Sequence, residues 1–288
     1  MDGIEDLGLS GLLPATLARR GFVMSSLITG LTLATTRVEA QVIHTNTQGI
    51  EAGETTVPVA DGNLPAYFAH PAGAGPFPTV LVIEEIFGVH EYIKDTCRRF
   101  AKAGYLAVAP ELYARLGDLS TMTDVAQIIR DVISKAPDKT MLSDLDATAA
   151  WAEAHGGDKA RLGVTGFCRG GRDTWMYAAH NPALKAAVAW YGPVAGTISD
   201  IQPTTPTDIA DTLMCPLLGL YGAKDTSIKV DDVQAAAAKA KAAGKDVEIV
   251  VYPDAGHGFH ADYRPSYNAA DAADGWKKAL AWFHDHGV

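Results

Sequence analysis

Three side chains of the kinds used in nucleophilic catalysis follow predicted strands, in the order Cys168, Asp225, His257. Cys168 lies between Gly166 and Gly170, in a turn that joins an apolar run to a run of small residues. A strand-to-helix turn of this kind holds a side chain up at the edge of a sheet, and the glycines accommodate the strained backbone of a nucleophile elbow. Taken alone, this cysteine is equally consistent with an inert buried thiol.

The three residue types have complementary roles in thiol chemistry. A neutral thiol is a weak nucleophile, so Cys168 requires a base such as His257. That histidine in turn requires a carboxylate such as Asp225, which fixes its tautomer and stabilises its cation. Singly, Asp225 is also consistent with a turn residue and His257 with a polar loop residue. Their joint occurrence, in the nucleophile, acid, base order of α/β-hydrolases, favours a Cys-His-Asp triad.

Other kinds of site are less consistent with the spacing. His257 and His260 are three residues apart, but no H-E-x-x-H motif accompanies them, so we predict no metal site. The glycines around Cys168 lack the G-x-G-x-x-G spacing of a dinucleotide site, so we predict no cofactor. Cys97, Cys168 and Cys215 lie far apart without C-x-x-C spacing, which favours neither a zinc site nor a disulfide framework.

Length, composition and charge indicate one globular domain with an extension. The chain has 288 residues, of which 48 % are hydrophobic and 20 % are charged, and α/β folds of this size commonly form one unit. A net charge of −10 argues against a nucleic-acid partner. We therefore expect a small-molecule partner.

The elements that would position the triad alternate between apolar strands and helices. Segments 54–59 and 64–69 are predicted to form a hairpin, and Pro58 and Pro65 indicate that both are edge strands. Apolar runs typical of buried parallel strands begin near Thr79, Tyr105, Leu162, Ala186, Pro216 and Val247. A long loop, 192–211, is predicted to form a lid or binding rim. The pattern predicts an α/β-hydrolase fold, a mostly parallel sheet flanked by helices on both faces, with ligands bound at the carboxyl ends of its strands.

The first 40 residues resemble a bacterial twin-arginine signal peptide. Arg19 and Arg20 precede an uncharged run, 23–36, and small residues follow at a potential cleavage site. The run is too short for a stable membrane anchor. The alternative is an amphipathic helix packed on the domain. We predict a signal peptide over 1–40, a linker over 41–53 and a single α/β-hydrolase domain over 54–288, located in the periplasm, or in the cytoplasm if the signal is not used.

Four segments resemble motifs of the dienelactone hydrolase (carboxymethylenebutenolidase) family, namely 82–89, 166–171, 221–225 and 255–259. The resemblance extends from about Thr55 to the C-terminus. It implies that Cys168 is the nucleophile, His257 the base and Asp225 the orienting acid. It also implies that Glu85 holds the resting thiol and helps to activate it when substrate arrives. The backbone N–H groups of Ile86 and Arg169 would form the oxyanion hole.

The same resemblance implies hydrolysis of a small ester or lactone by a monomer or homodimer, but the chain departs from the family at two positions. The best-known members bind a substrate carboxylate through arginines, one of them four residues after the catalytic histidine, where this chain has Ala261. Arg264 and Arg130 are the candidates to replace it. The second departure is Arg169, a cation beside the nucleophile that either favours the thiolate or faces solvent. Aromatic residues after strands are also predicted to bind substrate, namely Phe87, Tyr191 and Phe259.

Two alternatives remain open at this point. The same thiolate and oxyanion hole are suited to activated aryl esters or phosphotriesters, because a tetrahedral phosphoryl oxygen needs the same donors. A non-catalytic binding protein on a hydrolase scaffold is the alternative from a different class.

Overall fold

The computed structural model describes residues 43–288, so the predicted signal peptide over 1–40 lies outside the described residues. The first strand, β1 (Ile50–Val59), pairs antiparallel with β2 (Gly62–Pro71). This is the predicted hairpin, with both strands longer than the apolar alternation indicated.

The residues before β1 are attached to the domain. The backbone N–H of Thr45 donates to Asp95 at 2.6 Å, and that of Ile43 donates to Asp262 at 3.0 Å. Strand β1 itself begins at Ile50, inside the segment 41–53 that was predicted to be a linker. The prediction needs correction for these residues, because carboxylates distant in sequence bind a segment whose own pattern is featureless.

Six further strands complete an eight-stranded sheet: β3 (Phe77–Ile83), β4 (Leu106–Pro110), β5 (Gly157–Phe167), β6 (Leu184–Trp190), β7 (Leu217–Gly222) and β8 (Val247–Tyr252). The spatial order is β1-β2-β4-β3-β5-β6-β7-β8. Strand β2 is antiparallel to both of its neighbours, and the pairs from β4 to β8 are all parallel. Parallel strands end at one edge, so the loops after them meet there.

The described α-helices are α1 (Glu91–Lys102), α2 (Val125–Asp131), α3 (Asp138–Ala154), α4 (Arg169–Ala178), α5 (Pro206–Ile209), α6 (Val230–Ala242) and α7 (Ala269–Asp285). Within residues 43–288, no helix combines the length and the apolar character needed to cross a membrane.

Helices cover both faces of the sheet. Residues an odd number apart on a strand face opposite sides. On β5, a Cβ at Gly163 would meet Phe283 of α7, whereas a Cβ at Gly166 would meet Thr174 of α4. The predicted architecture, a mostly parallel sheet between two layers of helices, is therefore confirmed.

The prediction that both hairpin strands lie at an edge was half right. Strand β1 is an edge strand, but β2 pairs with β4 through residues 66–69. Pro65 lies just beyond that ladder, where its carbonyl accepts a hydrogen bond from Glu111 N at 2.8 Å. Strand β2 tolerates Pro65 because its ladder with β4 requires no N–H donor from this residue.

The predicted rim loop over 192–211 also contains more regular structure than expected. Helix α5 and a 3₁₀ turn, Ala210–Thr212, lie in this region. A reciprocal capping box between Thr205 and Asp208 begins α5.

Candidate active site

Cys168 lies in the turn between β5 and α4 with a strained backbone. Its φ and ψ are 55° and −116°, in a region that residues with a Cβ rarely adopt. Its N–H donates to the carbonyl of Trp190 at the end of β6, at 3.1 Å. The turn thus presents the thiol at the carboxyl edge of the sheet, as a nucleophile elbow does.

The glycines on either side of Cys168 are required by close backbone contacts. A Cβ at Gly166 would collide with the carbonyl of Gly170, and a Cβ at Gly170 would lie 2.5 Å from the carbonyl oxygen of Ile83. Because these neighbours are backbone atoms, they cannot move without disturbing β3 or α4. The two glycines therefore let β3, β5 and α4 meet at the thiol.

The three predicted triad residues are in hydrogen-bond contact. Asp225 follows β7 and His257 follows β8, and His257 Nδ1 lies 2.8 Å from Asp225 Oδ2. His257 Nε2 lies 3.1 Å from Cys168 Sγ. The side chains of His257 and Asp225 are 8 % and 3 % exposed. Nδ1–H donates to the carboxylate, so Nε2 is directed at the thiol.

The charges around His257 favour its protonated form. Burial opposes the imidazolium of His257, but the negative charges of Cys168 and Asp225 outweigh it and raise the pKa of His257 to about 10. Burial would also raise the pKa of Asp225, yet the charge of His257 and the hydrogen bonds from His257 and Ser227 hold it below its ordinary value. The arrangement therefore favours the protonated imidazole of His257 beside the ionised carboxylate of Asp225.

Asp225 is fixed by donors from its own loop. Its Oδ1 accepts from Ser227 N at 2.8 Å, Ser227 Oγ at 2.7 Å and Ile228 N at 3.0 Å. Its Oδ2 is left for His257. These three bonds orient the carboxylate, and the carboxylate orients the imidazole.

The predicted oxyanion donors belong to the loop after β3 and to the first residue of α4. Ile83 pairs with Gly166 in the sheet, which brings the loop carrying Ile86 beside the turn at Cys168. In the described part of the chain, Ile86 N donates to no backbone carbonyl. Arg169 is the first residue of α4, and an N–H at that position has no partner within its helix. Both amides are therefore available to a ligand.

The Arg169 side chain neither approaches the thiol nor faces solvent. Its Nε lies 3.2 Å from Asp173 and its Nη2 lies 3.6 Å from Asp138, while Nη1 donates to Gln202 at 3.3 Å. Arg172 binds the same two carboxylates. The backbone N–H of Arg169 is the predicted oxyanion donor, whereas its side chain joins a buried ion-pair cluster that also contacts the rim loop.

Glu85 is fully buried and contacts three other side chains instead of the thiol. Arg264 Nη2 lies 2.8 Å from its Oε1, Tyr263 donates to its Oε2, and His90 Nε2 lies 3.4 Å from that oxygen. Burial would raise the pKa of Glu85, but Arg264 and His90 lower it to about 2. The expectation that Glu85 holds the resting thiol needs correction, since in this structure the thiol contacts His257.

Arg264 is one of the two cations expected to replace the arginine missing at Ala261, and it does lie in this cluster. Its guanidinium lies between the rings of Phe87 and Tyr263, 5.2 and 5.3 Å from their centroids. Its Nη1 is buried and has no hydrogen-bond partner among the described residues. This nitrogen therefore has unused hydrogen-bonding capacity within the buried cluster.

The remaining predicted substrate-binding residues, Tyr191, Phe259 and Arg130, lie in three different surroundings. The Tyr191 ring packs edge-on against His257 at 5.3 Å, so it helps to fix the position of this imidazole. Phe259 is completely buried beside Tyr252, where it belongs to the core. Arg130 forms an ion pair with Asp131, and its side chain is 64 % exposed. Core packing therefore accounts for Phe259 and a local ion pair for Arg130, and neither position supports the predicted substrate binding.

His260 does not form a pair with His257. Its Nδ1 lies 2.7 Å from Tyr92 Oη, and its ring stacks on Phe167 at 5.4 Å. Burial lowers the pKa of His260 to about 3. This histidine is a neutral core residue.

His90, which sequence reasoning missed, belongs to the Glu85 cluster. It precedes α1, where it reads as an ordinary polar residue before a helix. It also lines, with Phe87, Glu111 and Leu119, a cleft of about 320 Å³ beside the loop of Ile86. Two residues that line this cleft therefore contact the ion pair: His90 lies against Glu85, and Phe87 lies against Arg264.

The sheet topology and the turn at Cys168 define an α/β-hydrolase fold with a cysteine at the position of the nucleophile elbow. The model of the family described as "Dienelactone hydrolase family" matches residues 64–287. The chain belongs to this family, as its motifs indicated.

Similar proteins agree with this assignment. A "Putative carboxymethylenebutenolidase" of Methylorubrum extorquens is 56 % identical over 275 residues, covering 95 % of this chain and 94 % of that protein. A protein of the same name from Escherichia coli K12 is 51 % identical over 259 residues, covering 90 % and 96 %. The crystal structure of a "Putative Dienelactone Hydrolase" from Klebsiella pneumoniae matches with a TM-score of 0.80 at 56 % identity, covering 82 % and 98 %.

A more distant structure shares the fold alone. It is described as a dienelactone hydrolase-like promiscuous phosphotriesterase from metagenomic libraries, with a TM-score of 0.69 at 21 % identity, covering 83 % of this chain and 100 % of that one.

Proposed function

We propose that the protein is a cysteine-dependent hydrolase of ester or lactone bonds, in which Cys168 is the nucleophile, His257 the base and Asp225 the orienting acid. The observation that carries the proposal is the unbroken contact from Asp225 through His257, at 2.8 Å, to Cys168, at 3.1 Å. The strained turn at Cys168 supports it, because strain of this kind clusters at functional sites.

In the proposed reaction, Cys168 Sγ adds to the carbonyl carbon, and the carbonyl oxygen becomes an oxyanion bound by the N–H groups of Ile86 and Arg169. The carbonyl re-forms as the C–O bond to the leaving group breaks, and His257 Nε2 gives its proton to the departing oxygen. Water, deprotonated by His257, then attacks the thioester. The C–S bond breaks, which releases the acid and restores the thiolate.

The preferred substrates in this proposal carry an anionic group besides the ester. The free Nη1 of Arg264 would bind a substrate carboxylate, which would then compete with Glu85 for the guanidinium. Glu85, once released, could turn towards the thiol and take part in its activation. The cleft bordered by Phe87 and His90 would accommodate the rest of such a substrate.

The experiment compares p-nitrophenyl acetate with a p-nitrophenyl hemiester of succinic acid. Cys168→Ala is expected to lose both activities. Arg264→Lys keeps a charge for Glu85 but loses the second guanidinium edge, so its KM for the hemiester should rise roughly 10-fold, with little change for the acetate. Arg130→Lys, a surface arginine, is the matched control. Equal KM changes for both esters would refute the anionic preference, and full activity of Cys168→Ala would refute the nucleophile.

A second activity on phosphotriesters is a narrower proposal. The amides of Ile86 and Arg169 can bind a phosphoryl oxygen as well as a carboxyl oxyanion. A triester such as paraoxon, added to the same assays, tests it: turnover that disappears in Cys168→Ala supports it, and no turnover refutes it. An intact protein without any esterase activity would favour the alternative of a binding protein.

We also propose that the protein is exported, on the basis of the twin-arginine motif at Arg19 and Arg20. Arg19→Lys with Arg20→Lys is expected to move the protein from the periplasmic to the cytoplasmic fraction of a bacterial host. An unchanged distribution would contradict export by this route.

A further inference from the structure

We propose that buried Glu84 and half-buried Glu111 form a carboxyl pair that positions the oxyanion loop, residues 84–89, for the reaction proposed above. This is a positioning role, because both carboxyls act through the backbone that carries Ile86. It rests on the proposed function, since it concerns the amide that would bind the oxyanion.

The two carboxyls link two loops reciprocally. Glu84, which follows β3, accepts a hydrogen bond from the N–H of Leu112 at 2.8 Å. Glu111, which follows β4, accepts one from the N–H of Val89 at 3.0 Å. Strands β3 and β4 are parallel neighbours. Each loop therefore supplies a carboxyl to an amide of the other, and the segment between Glu84 and Val89 is held at both ends.

Gly88 shows how closely this loop lies over Glu111. Its φ is 81°, and a Cβ there would lie 3.1 Å from Glu111 Oε2. Ile86 is two residues from each of Glu84 and Gly88. Small displacements at either end would therefore alter the direction of its N–H.

Protonation of Glu84 explains how the carboxyl groups of Glu84 and Glu111 can lie close together. Glu84 is completely buried, and its Oε2 has no hydrogen-bond partner among the described residues when both acids are ionised. Burial and the nearby charge of Glu111 raise the pKa of Glu84 well above its usual value, and burial also raises that of Glu111. A proton on Glu84 makes Oε2 a donor to Glu111, which removes the repulsion and satisfies the buried atom.

This arrangement predicts that a neutral amide can replace the acid at position 84, whereas an apolar side chain cannot. In Glu84→Gln, the amide oxygen accepts from Leu112 and the amide nitrogen donates to Glu111. In Glu84→Leu, both interactions are lost, and the half-buried Glu111 carboxyl loses its partner.

The test measures two rates in each variant: kcat for p-nitrophenyl acetate and alkylation of Cys168 by iodoacetamide. Alkylation needs the thiolate but no oxyanion donor, so it reports the triad alone. We expect Glu84→Gln to keep kcat within about threefold of wild type. Glu84→Leu should lose about 10²-fold in kcat and alkylate at the wild-type rate. Should Glu84→Leu fail to fold, Glu111→Leu removes the bond to Val89 and carries the same expectation.

Two outcomes would overturn the positioning role. One is a kcat for Glu84→Gln as low as that of the leucine variant. The other is a parallel fall of alkylation and kcat in the leucine variants, which would indicate general damage to the site. A wild-type protein that alkylates at Cys168 but hydrolyses no ester would instead refute the proposed function and, with it, the need for an oxyanion loop.

Discussion

Glu85 and Arg264 form a buried ion pair in which Oε1 lies 2.8 Å from Nη2 and neither side chain is more than 1 % exposed. The pair joins the loop after β3 to the loop after β8, and so connects the predicted oxyanion donor to the region of His257. A buried carboxylate without a partner is costly. Arg264 thus keeps Glu85 charged where burial alone would neutralise it.

This ion pair predicts a stability difference that depends on pH. The pKa of Glu85 is lowered from 4.5 to about 2, so its contribution is complete above about pH 4.5 and is lost as the pH falls towards 2. At pH 7, Glu85→Gln should lower the free energy of unfolding by roughly 3 kcal/mol. Urea titrations of both proteins at several pH values should show the difference narrowing below about pH 4.5. A difference that stays constant down to pH 2.5 would contradict the ion-pair assignment.

The hydrogen bonds of Asp225 predict that substitutions at Asp225 and at Ser227 lower kcat by very different amounts. Asp225→Asn should lower kcat by about 10³-fold or more, because an amide favours the wrong tautomer of His257. Ser227→Ala removes only the hydroxyl, and the two backbone N–H donors to Oδ1 remain. Its kcat should fall less than about 10-fold. Initial rates with p-nitrophenyl acetate check both. Similar losses in the two variants would mean that the carboxylate does not act mainly through its charge on His257.

The fold and the triad could be predicted from the sequence because they leave local signals. Apolar runs identified the strands, and the residues just after them included Cys168, Asp225 and His257. The parallel sheet then requires those loops to meet at one edge. Neither step depends on knowing a side-chain partner.

Side-chain contacts between loops that are distant in sequence leave no such local signal. Arg264 and Glu85 are 179 residues apart, and nothing in the sequence distinguishes Arg264 from the exposed Arg130. Phe259 follows a strand as a pocket residue would, yet aromatic packing places it in the core. The Arg169 side chain depends on Asp138, which approaches it only after folding.

The glycines around the thiol predict a steric effect on stability. Gly170→Ala places a Cβ against the carbonyls of Ile83 and Glu84, so it should lower the free energy of unfolding by at least about 2 kcal/mol. Gly196→Ala is the matched control, since a Cβ there meets nothing within 4 Å. Denaturant titrations measure both. Equal stability of the two variants would show that the strands and helix do not meet as closely as described.

The three cysteines should differ sharply in reactivity. Burial raises the pKa of Cys215 to about 12 and that of Cys97 further, whereas Cys168 contacts a base. Iodoacetamide at neutral pH should therefore label only Cys168, as judged by peptide mass spectrometry. Labelling of all three at similar rates, or of none, would count against an activated thiol.

In the proposed reaction Cys168 carries the acyl group, and this intermediate can be trapped. Wild-type protein mixed with p-nitrophenyl acetate and quenched in acid during turnover should carry one acetyl group on the peptide that contains Cys168. Cys168→Ala should carry none and should hydrolyse the ester no faster than buffer. Full hydrolysis by Cys168→Ala, or an acetyl group found on another residue during turnover, would rule out Cys168 as the nucleophile.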